Sequence, residues 1–280
     1  MPPRAPLTLP VAATPEVVAL VAHLVEGRAG LHYSVESTAL LADKVASRAL
    51  ELGFDALLDY YYFLKYDAGG EGELTALVER LLVHESYLFR EAEALRVATR
   101  EFVAPAARSR GRARVWSAAC ASGEEVYTLA MVLEGEGLLD RVDLVASDLS
   151  EAALSRARRG AYAGRALRAL PPEAERHLVR REGAVEVDPR LRAAVEWRRV
   201  NLVDADAVAA LGGFDLVLCR NALMYFSDAT ARAVVASLAA TLRPEGRILV
   251  GASESLLRFG SVVTCEERGG CFFYRARVAP

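Results

Sequence analysis

From residue 114 onward, short apolar runs bounded by small or polar residues alternate with helical periodicity, and before residue 100 no such alternation occurs. That change of texture is the strongest constraint on the fold. Parallel strands need a crossover between them, so strands alternating with helices imply a mostly parallel sheet with helices packed on its faces. The predicted strands are 114–118, 142–147, 196–200, 214–219, 247–251 and 271–277. The predicted helices are 124–135, 150–160, 204–211, 228–242 and 253–258. Residues 161–197 break the rhythm with Pro171-Pro172, dense arginines and VEVD (185–188), and read as an inserted subdomain.

After a proline-rich tail, segments 14–27, 35–52, 54–65 and 72–83 carry apolar residues three and four apart, the spacing of one buried helix face. Thr14-Pro15-Glu16 is a helix start, with a capping hydroxyl, a proline at the first helical position and an acid. Breaks fall at Gly30, Gly53 and Gly69-Gly70. A further helix is expected over 85–100, followed by a weakly ordered linker, APAARSRGRAR (104–114). The expected organisation is an N-terminal helical domain over 11–100, a linker over 101–113, and an α/β domain over 114–280 that carries the small β-containing insertion.

Composition narrows the function classes. No apolar run approaches the roughly 18 residues of a membrane span, and MPPRAPLTLP has no apolar signal core, so a cytoplasmic protein without membrane insertion is expected. The four cysteines, Cys120, Cys219, Cys265 and Cys271, show no CxxC pair and no histidine at ligand spacing, so reduced thiols and no metal are expected. A net charge of −3 does not suggest nucleic acid. The charge is uneven: residues 11–95 hold 14 acids against 6 Lys and Arg, and 156–199 hold 12 arginines against 6 acids. The basic segment reads either as a solvated surface or as a contact face. Without heptads or a self-complementary apolar face, a monomer is expected.

Three stretches carry chemistry. In VWSAACASGEEVYTLAM (115–131) a buried strand runs into small residues before Glu124 and Glu125. Ala118, Ala119, Ser122 and Gly123 would let a ligand rest against the backbone, yet there is no full GxGxxG to cradle a pyrophosphate. The two acids suit a helix start through the dipole; alternatively, a carboxylate here meets a cationic ligand group. The second strand ends at Asp148, 25 residues beyond Gly123, where an acid accepts hydrogen bonds from both ribose hydroxyls. Asp148 equally suits a helix N-cap. A ribose acceptor without a pyrophosphate cradle favours S-adenosylmethionine over a dinucleotide. In FDLVLCRNALMYF (214–226) an apolar strand ends in Arg220-Asn221, with Tyr225 close behind as a site residue or a core aromatic.

These stretches, with HESYLFRE (84–91), ASDLSEAALSRARRGAY and LRPEGRILVGASES, stand in the order found in the CheR-type chemotaxis-receptor methyltransferases, and the chain resembles that family over roughly 20–278. The resemblance implies a Rossmann-like class I S-adenosylmethionine-dependent methyltransferase domain preceded by a small all-α bundle. It implies O-methylation of glutamate side chains on the cytoplasmic helical bundle of a methyl-accepting chemoreceptor, leaving S-adenosylhomocysteine. By motif position, His84, Ser86 and Arg90 would face the cofactor from the domain junction, and Ala118 would lie against it. Glu125 would take the methionine end, Asp148 the ribose, and Asn201 and Leu202 the adenine. Asn221 and Ala222 would line the site, and Arg90 with Tyr225 would border the transferred methyl. Two alternatives remain: the same chemistry on another acceptor, and a non-catalytic module that binds the cofactor.

The chain departs from the family pattern in four places. His84 stands where the family commonly has asparagine, and Val126 where it has proline. The second helix has only Lys44 and Arg48 against Glu36, Asp43 and Glu51, where enterobacterial members are strongly basic. The loop around REGAVEVD (181–188) is short, which predicts an enzyme that does not tether to a receptor's C-terminal pentapeptide.

Overall fold

The computed structural model describes residues 14–34 and 37–277; the proline-rich tail and Val35-Glu36 at the head of the second predicted helix lie outside the described residues. The chain divides into two compact units, 1–83 with 225–227, and 84–224 with 228–280. The boundary therefore falls after Val83 and not near residue 100.

The first unit contains α1 (Pro15–Ala29), α2 (Thr38–Glu51), α3 (Leu57–Tyr66) and α4 (Gly70–Leu81). Gly30 ends α1 in the left-handed conformation, returning its amide to Glu26 O at 2.7 Å. Val18, Val21, Val25, Leu41, Leu57 and Leu77 form its interior. Inside that interior Arg48 grips Glu73 with two hydrogen bonds, of 2.7 and 2.6 Å, and the Tyr60 hydroxyl donates to the same carboxylate at 2.7 Å. Glu73 is 8% exposed. Burial pushes its carboxyl up, but the bonds from Arg48 and Tyr60 outweigh that and hold it below the usual carboxylate range. Residues 225–227 belong to this unit: Leu31 bridges Phe226, and His32 N–H donates to Tyr225 O at 2.8 Å.

The second unit opens with α5 (Ala92–Ala98), one π-helical turn over Thr99–Val103, and α6 (Ala104–Arg110). Two expectations fail here. Residues 85–91 are not helical, because Phe89 and Glu91 adopt left-handed φ of 64° and 49°, and Leu88 N–H and Phe89 N–H donate elsewhere, to Ala166 O and Thr128 Oγ1. The expected linker is a helix instead: Ala104, Ala106 and Ala107 pack inward, and left-handed Gly111 ends it.

The elements that follow are β1 (Ala113–Ala118), α7 (Glu124–Gly135), β2 (Val142–Asp148), α8 (Glu151–Arg159), β3 (Ala161–Tyr162), β4 (Leu178–Arg181), β5 (Ala184–Val187), α9 (Pro189–Ala193), β6 (Val195–Arg199), α10 (Ala205–Ala209), β7 (Phe214–Leu218), α11 (Asp228–Ala240), β8 (Leu242–Leu249), β9 (Val263–Arg268) and β10 (Cys271–Ala276). Seven strands form one sheet in the order β6-β2-β1-β7-β8-β10-β9. From β6 to β8 the pairs are parallel, and β10 runs antiparallel between β8 and β9. This is the doubly wound α/β fold expected, with its order reversing between β1 and β7.

The three-stranded sheet β3-β5-β4 is the inserted subdomain. It ends before residue 195, since β6 pairs with β2 in the main sheet. Arg181 faces Ala184 across a two-residue Glu182-Gly183 turn, so the β4–β5 loop is as short as the sequence suggested. β8 starts earlier than expected. Phe214 pairs with Leu242 and Leu216 with Arg247, so the Pro-Glu-Gly turn is a bulge inside the strand. β9 is an additional strand at the sheet edge whose polar sequence, VTCEER, carries little strand signal. The helix expected over 253–258 reduces to a 3-10 turn at Leu257–Phe259.

Candidate functional site

The carboxyl ends of β2, β1 and β7 are adjacent, at the point where strand order reverses, which is where open α/β sheets bind ligands. Four of the sequence-predicted segments meet there.

Beyond Ala118 the chain turns with Ala119, Ala121 and Gly123 all at positive φ (57°, 49° and 90°). The loop spends its own amides. Cys120 N–H donates to Ser147 O (2.9 Å), Gly123 N–H to Cys120 O (2.9 Å), and Ala121 N–H to Asp148 Oδ2 (2.8 Å). Those three donors are not offered to a phosphate, and the nearby side chains are acids. Gly123 is also required by internal packing. A Cβ there would come within 2.9 Å of Ala157 Cβ and Trp197 Cη2, so the protein's own interior is enough to exclude one.

Asp148 is 7% exposed. Its Oδ1 accepts from Ser150 N–H at 2.9 Å, and its Oδ2 from Ala121 as above. The N-cap of α8 is Ser150, whose Oγ accepts from Ala153 N–H at 2.9 Å. Asp148 is therefore not a helix cap but a rigid carboxylate at the strand tip. Val200 N–H donates to Asp148 O (3.1 Å), which sets Asn201 and buried Leu202, in the turn after β6, beside this tip.

Glu124 and Glu125 part company. Glu124 is 4% exposed, with Oε1 receiving Ser122 Oγ at 3.1 Å and Oε2 buried without a hydrogen-bond partner; burial raises its pKa. Glu125 is held at both oxygens, Oε1 by Ser117 Oγ (2.8 Å) and Oε2 by Arg220 Nη1 (2.9 Å). Arg220, 2% exposed at its side chain, also reaches Glu91 Oε2 (2.7 Å) and Arg90 O (3.1 Å). The arginine two residues beyond β7 thus joins the HESYLFRE segment to the start of α7. Its sequence signal was a charge at the end of an apolar strand; its partners, 95 and 129 residues away, were not visible.

Asn221 is left-handed (φ 59°) and its N–H donates to Glu254 Oε2 at 2.6 Å. Glu254 also accepts from Gly251 N–H (3.0 Å) and Leu223 N–H (3.0 Å). It fixes the loop carrying Asn221 and Ala222, a role the sequence did not reveal. Arg90 donates to Glu85 O (3.3 Å) and lies over the Tyr87 ring, and His84 and Ser86 are half-buried earlier in the same segment. Tyr225 belongs to the first unit.

The donor set suits S-adenosylmethionine: fixed carboxylates at Glu125 and Asp148, and a small-residue loop whose amides are largely occupied. No group of three or more metal-ligating side chains occurs among the described residues. No helix among them is long and apolar enough to cross a membrane. Of the basic stretch, Arg158, Arg168, Arg180, Arg181, Arg190 and Arg198 each pair with an acid of the same unit, which favours a solvated surface over a contact face.

A family profile described as "CheR methyltransferase, SAM binding domain" matches residues 84–268. Chemotaxis protein methyltransferase 2 of Vibrio cholerae serotype O1 is 34% identical over 210 residues, 72% of this chain and 73% of that protein. Chemotaxis protein methyltransferase 1 of Pseudomonas aeruginosa is 33% identical over 229 residues, 78% and 82%. Among solved structures, the glycopeptide N-methyltransferase MtfA complexed with S-adenosyl-L-methionine covers 69% of each chain at 17% identity, with a TM-score of 0.36.

Proposed function

This chain belongs to the CheR methyltransferase family, and from that premise we propose that it transfers the methyl group of S-adenosylmethionine to glutamate side chains on the cytoplasmic helical bundle of a chemoreceptor. The observation that carries the reading is the fixed carboxylate of Asp148 beside a loop in which the Cys120, Ala121 and Gly123 amides already have acceptors. That arrangement favours a ribose and a cationic methionine end over a pyrophosphate.

In this reading Asp148 holds the ribose, Glu125 the methionine end, and Asn201 with Leu202 the adenine. Ala118, Asn221 and Ala222 line the site, with His84 and Ser86 contributing from the segment before Arg90. Bound S-adenosylmethionine supplies a methyl group already activated by its sulfonium. A free glutamate side chain titrates near about 4.3 and is ionised at neutral pH, so no general base is required of the protein. The residues' work is alignment and exclusion of water, and alignment alone is worth on the order of 7–11 kcal/mol in well-oriented systems. Arg90 offers a forked donor to the acceptor carboxylate, and Tyr225 a second donor. Neither is to clamp the ground state strongly, because only interactions that strengthen at the transition state accelerate transfer.

The two-residue β4–β5 turn supports an enzyme that works without a tethering receptor pentapeptide. The acidic balance of residues 11–95 supports a docking face unlike the basic one of enterobacterial members. Arg90→Ala and Tyr225→Phe test the assignment. Both are expected to bind S-adenosylhomocysteine within a few-fold of wild type while kcat falls by at least about tenfold, the scale of one charge-assisted hydrogen bond. Unchanged kcat in both variants would overturn their roles. Cofactor binding without transfer to any receptor fragment would favour a non-catalytic module.

A further inference from the structure

The Arg220 guanidinium is buried within the second unit, its side chain 2% exposed, and its hydrogen bonds go to chain segments that carry the site. Nη1 donates to Glu125 Oε2 at 2.9 Å, and Nη2 donates to Glu91 Oε2 at 2.7 Å and to Arg90 O at 3.1 Å. Glu91 Oε2 in turn accepts Ala252 N–H at 3.2 Å, and Ser117 Oγ holds the other Glu125 oxygen at 2.8 Å. One side chain thus ties the HESYLFRE segment, the ends of β1 and β7, the start of α7 and the turn after β8.

We infer that Arg220 is the positioning residue of the cofactor site: it fixes the rotamer of Glu125 and the register of the segment bearing Ser86 and Arg90, so that a single buried fork sets both the methionine-end carboxylate and the acceptor-side arginine. The inference rests on the reading of Glu125 and Arg90 given above. Three features distinguish this from packing. A buried cation flanked by two carboxylates is costly unless its geometry is good and its charges are needed, and here each carboxylate belongs to a site segment. An arginine presents parallel donors in a fixed plane that lysine lacks, so it transmits orientation as well as charge. Finally, left-handed Glu91, at φ 49°, places its carboxylate on Arg220 while ending the segment immediately before α5.

The electrostatics agree. Burial pushes the Glu91 carboxyl up, and the hydrogen bond and charge of Arg220, aided by Arg90, outweigh it and hold the group below the usual carboxylate range. Burial lowers the Arg220 pKa, but Glu125 and Glu91 more than compensate and it stays protonated. The other charged groups around it, Arg90, Glu124, Asp148 and Glu254, are the same in every variant, so the readout is the difference in pH profile from wild type; burial raises Glu124 and the thiols of Cys120, Cys219 and Cys271.

The test measures S-adenosylhomocysteine affinity by calorimetry from pH 5.5 to 8.5 for the full chain and for Arg220→Lys and Arg220→Gln. Arg220→Gln is expected to weaken binding about 10- to 100-fold at pH 7.5, the loss of one or two charge-assisted bonds. It also gains an acid limb, because Glu91 loses the cation that holds it below the usual carboxylate range and titrates at higher pH. Arg220→Lys keeps the charge and loses the fork, so its expected affinity is intermediate with the wild-type pH profile. If Arg220→Gln does not fold, Arg220→Lys carries the test by its affinity alone. The inference is overturned if a folded variant of either kind binds within twofold of wild type at every pH, or if affinity falls equally in both with no change of pH profile. Wild type failing to bind S-adenosylhomocysteine would instead overturn the reading of the site.

Discussion

Replacing Asp148 with asparagine separates the two jobs its carboxylate can do. In the structure each oxygen takes one backbone N–H, from Ala121 at 2.8 Å and from Ser150 at 2.9 Å. An amide keeps one acceptor and turns an NH2 group toward the other donor. The variant then loses one charge-assisted bond and leaves a buried N–H without a partner, a cost of about 1.5–3 kcal/mol to the unliganded protein. Cofactor binding suffers separately. Each ribose hydroxyl loses a charged acceptor, worth about 10- to 100-fold in affinity, so the two together predict a loss of about 100-fold or more. Denaturant unfolding without ligand measures the first effect, and calorimetric titration with S-adenosylhomocysteine the second. Ser150→Ala is the control. It removes the α8 cap, at about 1 kcal/mol, with the carboxylate intact, and its ligand affinity is expected to stay within twofold. If Asp148→Asn loses stability as predicted yet binds S-adenosylhomocysteine within threefold of wild type, the acid serves the fold alone.

Other perturbations have equally definite outcomes. Glu254→Gln meets three backbone donors at 2.6–3.0 Å with only one acceptor oxygen, so about 1.5–3 kcal/mol of stability and part of the S-adenosylhomocysteine affinity are lost together; unchanged melting and affinity would refute its role as the loop anchor. Gly123→Ala places a methyl within 2.9 Å of Ala157 Cβ and Trp197 Cη2 at φ 90°, and destabilises by about 1–3 kcal/mol in chemical denaturation. Arg48→Met strands the Glu73 carboxylate in the first unit and is expected to cost about 3–5 kcal/mol at pH 7. Because the folded Glu73 carboxyl lies below its ordinary 4.5, its contribution is complete above that pH and is lost as pH falls through the folded value. Denaturant unfolding followed by circular dichroism is therefore expected to show wild type losing this contribution below pH 4.5, while protonation relieves the stranded carboxylate of the variant, so the stability gap between the two narrows as pH falls.

What the sequence made legible follows from how local each cause is. The helices at 124–135 and 228–240 and the strands at 114–118 and 214–218 are set by apolar spacing alone, and they appear within a residue or two of expectation. Asp148 at its strand tip was legible for the same reason. The break at 85–91 was not, since the left-handed Phe89 and Glu91 are held by partners as distant as Ala166, Thr128 and Arg220. The helix over 104–110 was hidden by arginines that suggest disorder, although the alanines between them pack inward. Strand β9 was hidden because an edge strand needs only one packed face and one paired side. Arg220 and Glu254 were visible as charges, but their significance lies in closing contacts across 31 to 130 residues of chain. Gly123 carries a requirement the sequence did not show, the packing of Ala157 and Trp197 against it.

The methyl acceptor proposed for this chain is a carboxyl group on a chemoreceptor. The direct measurement supplies methyl-tritiated S-adenosylmethionine, this protein and a cytoplasmic chemoreceptor fragment, then exposes the labelled receptor to mild base. The account predicts label on receptor glutamates that is released as volatile methanol, with transfer unaffected by deleting the receptor's C-terminal pentapeptide. Label that survives base, or label that never reaches the receptor, would contradict it.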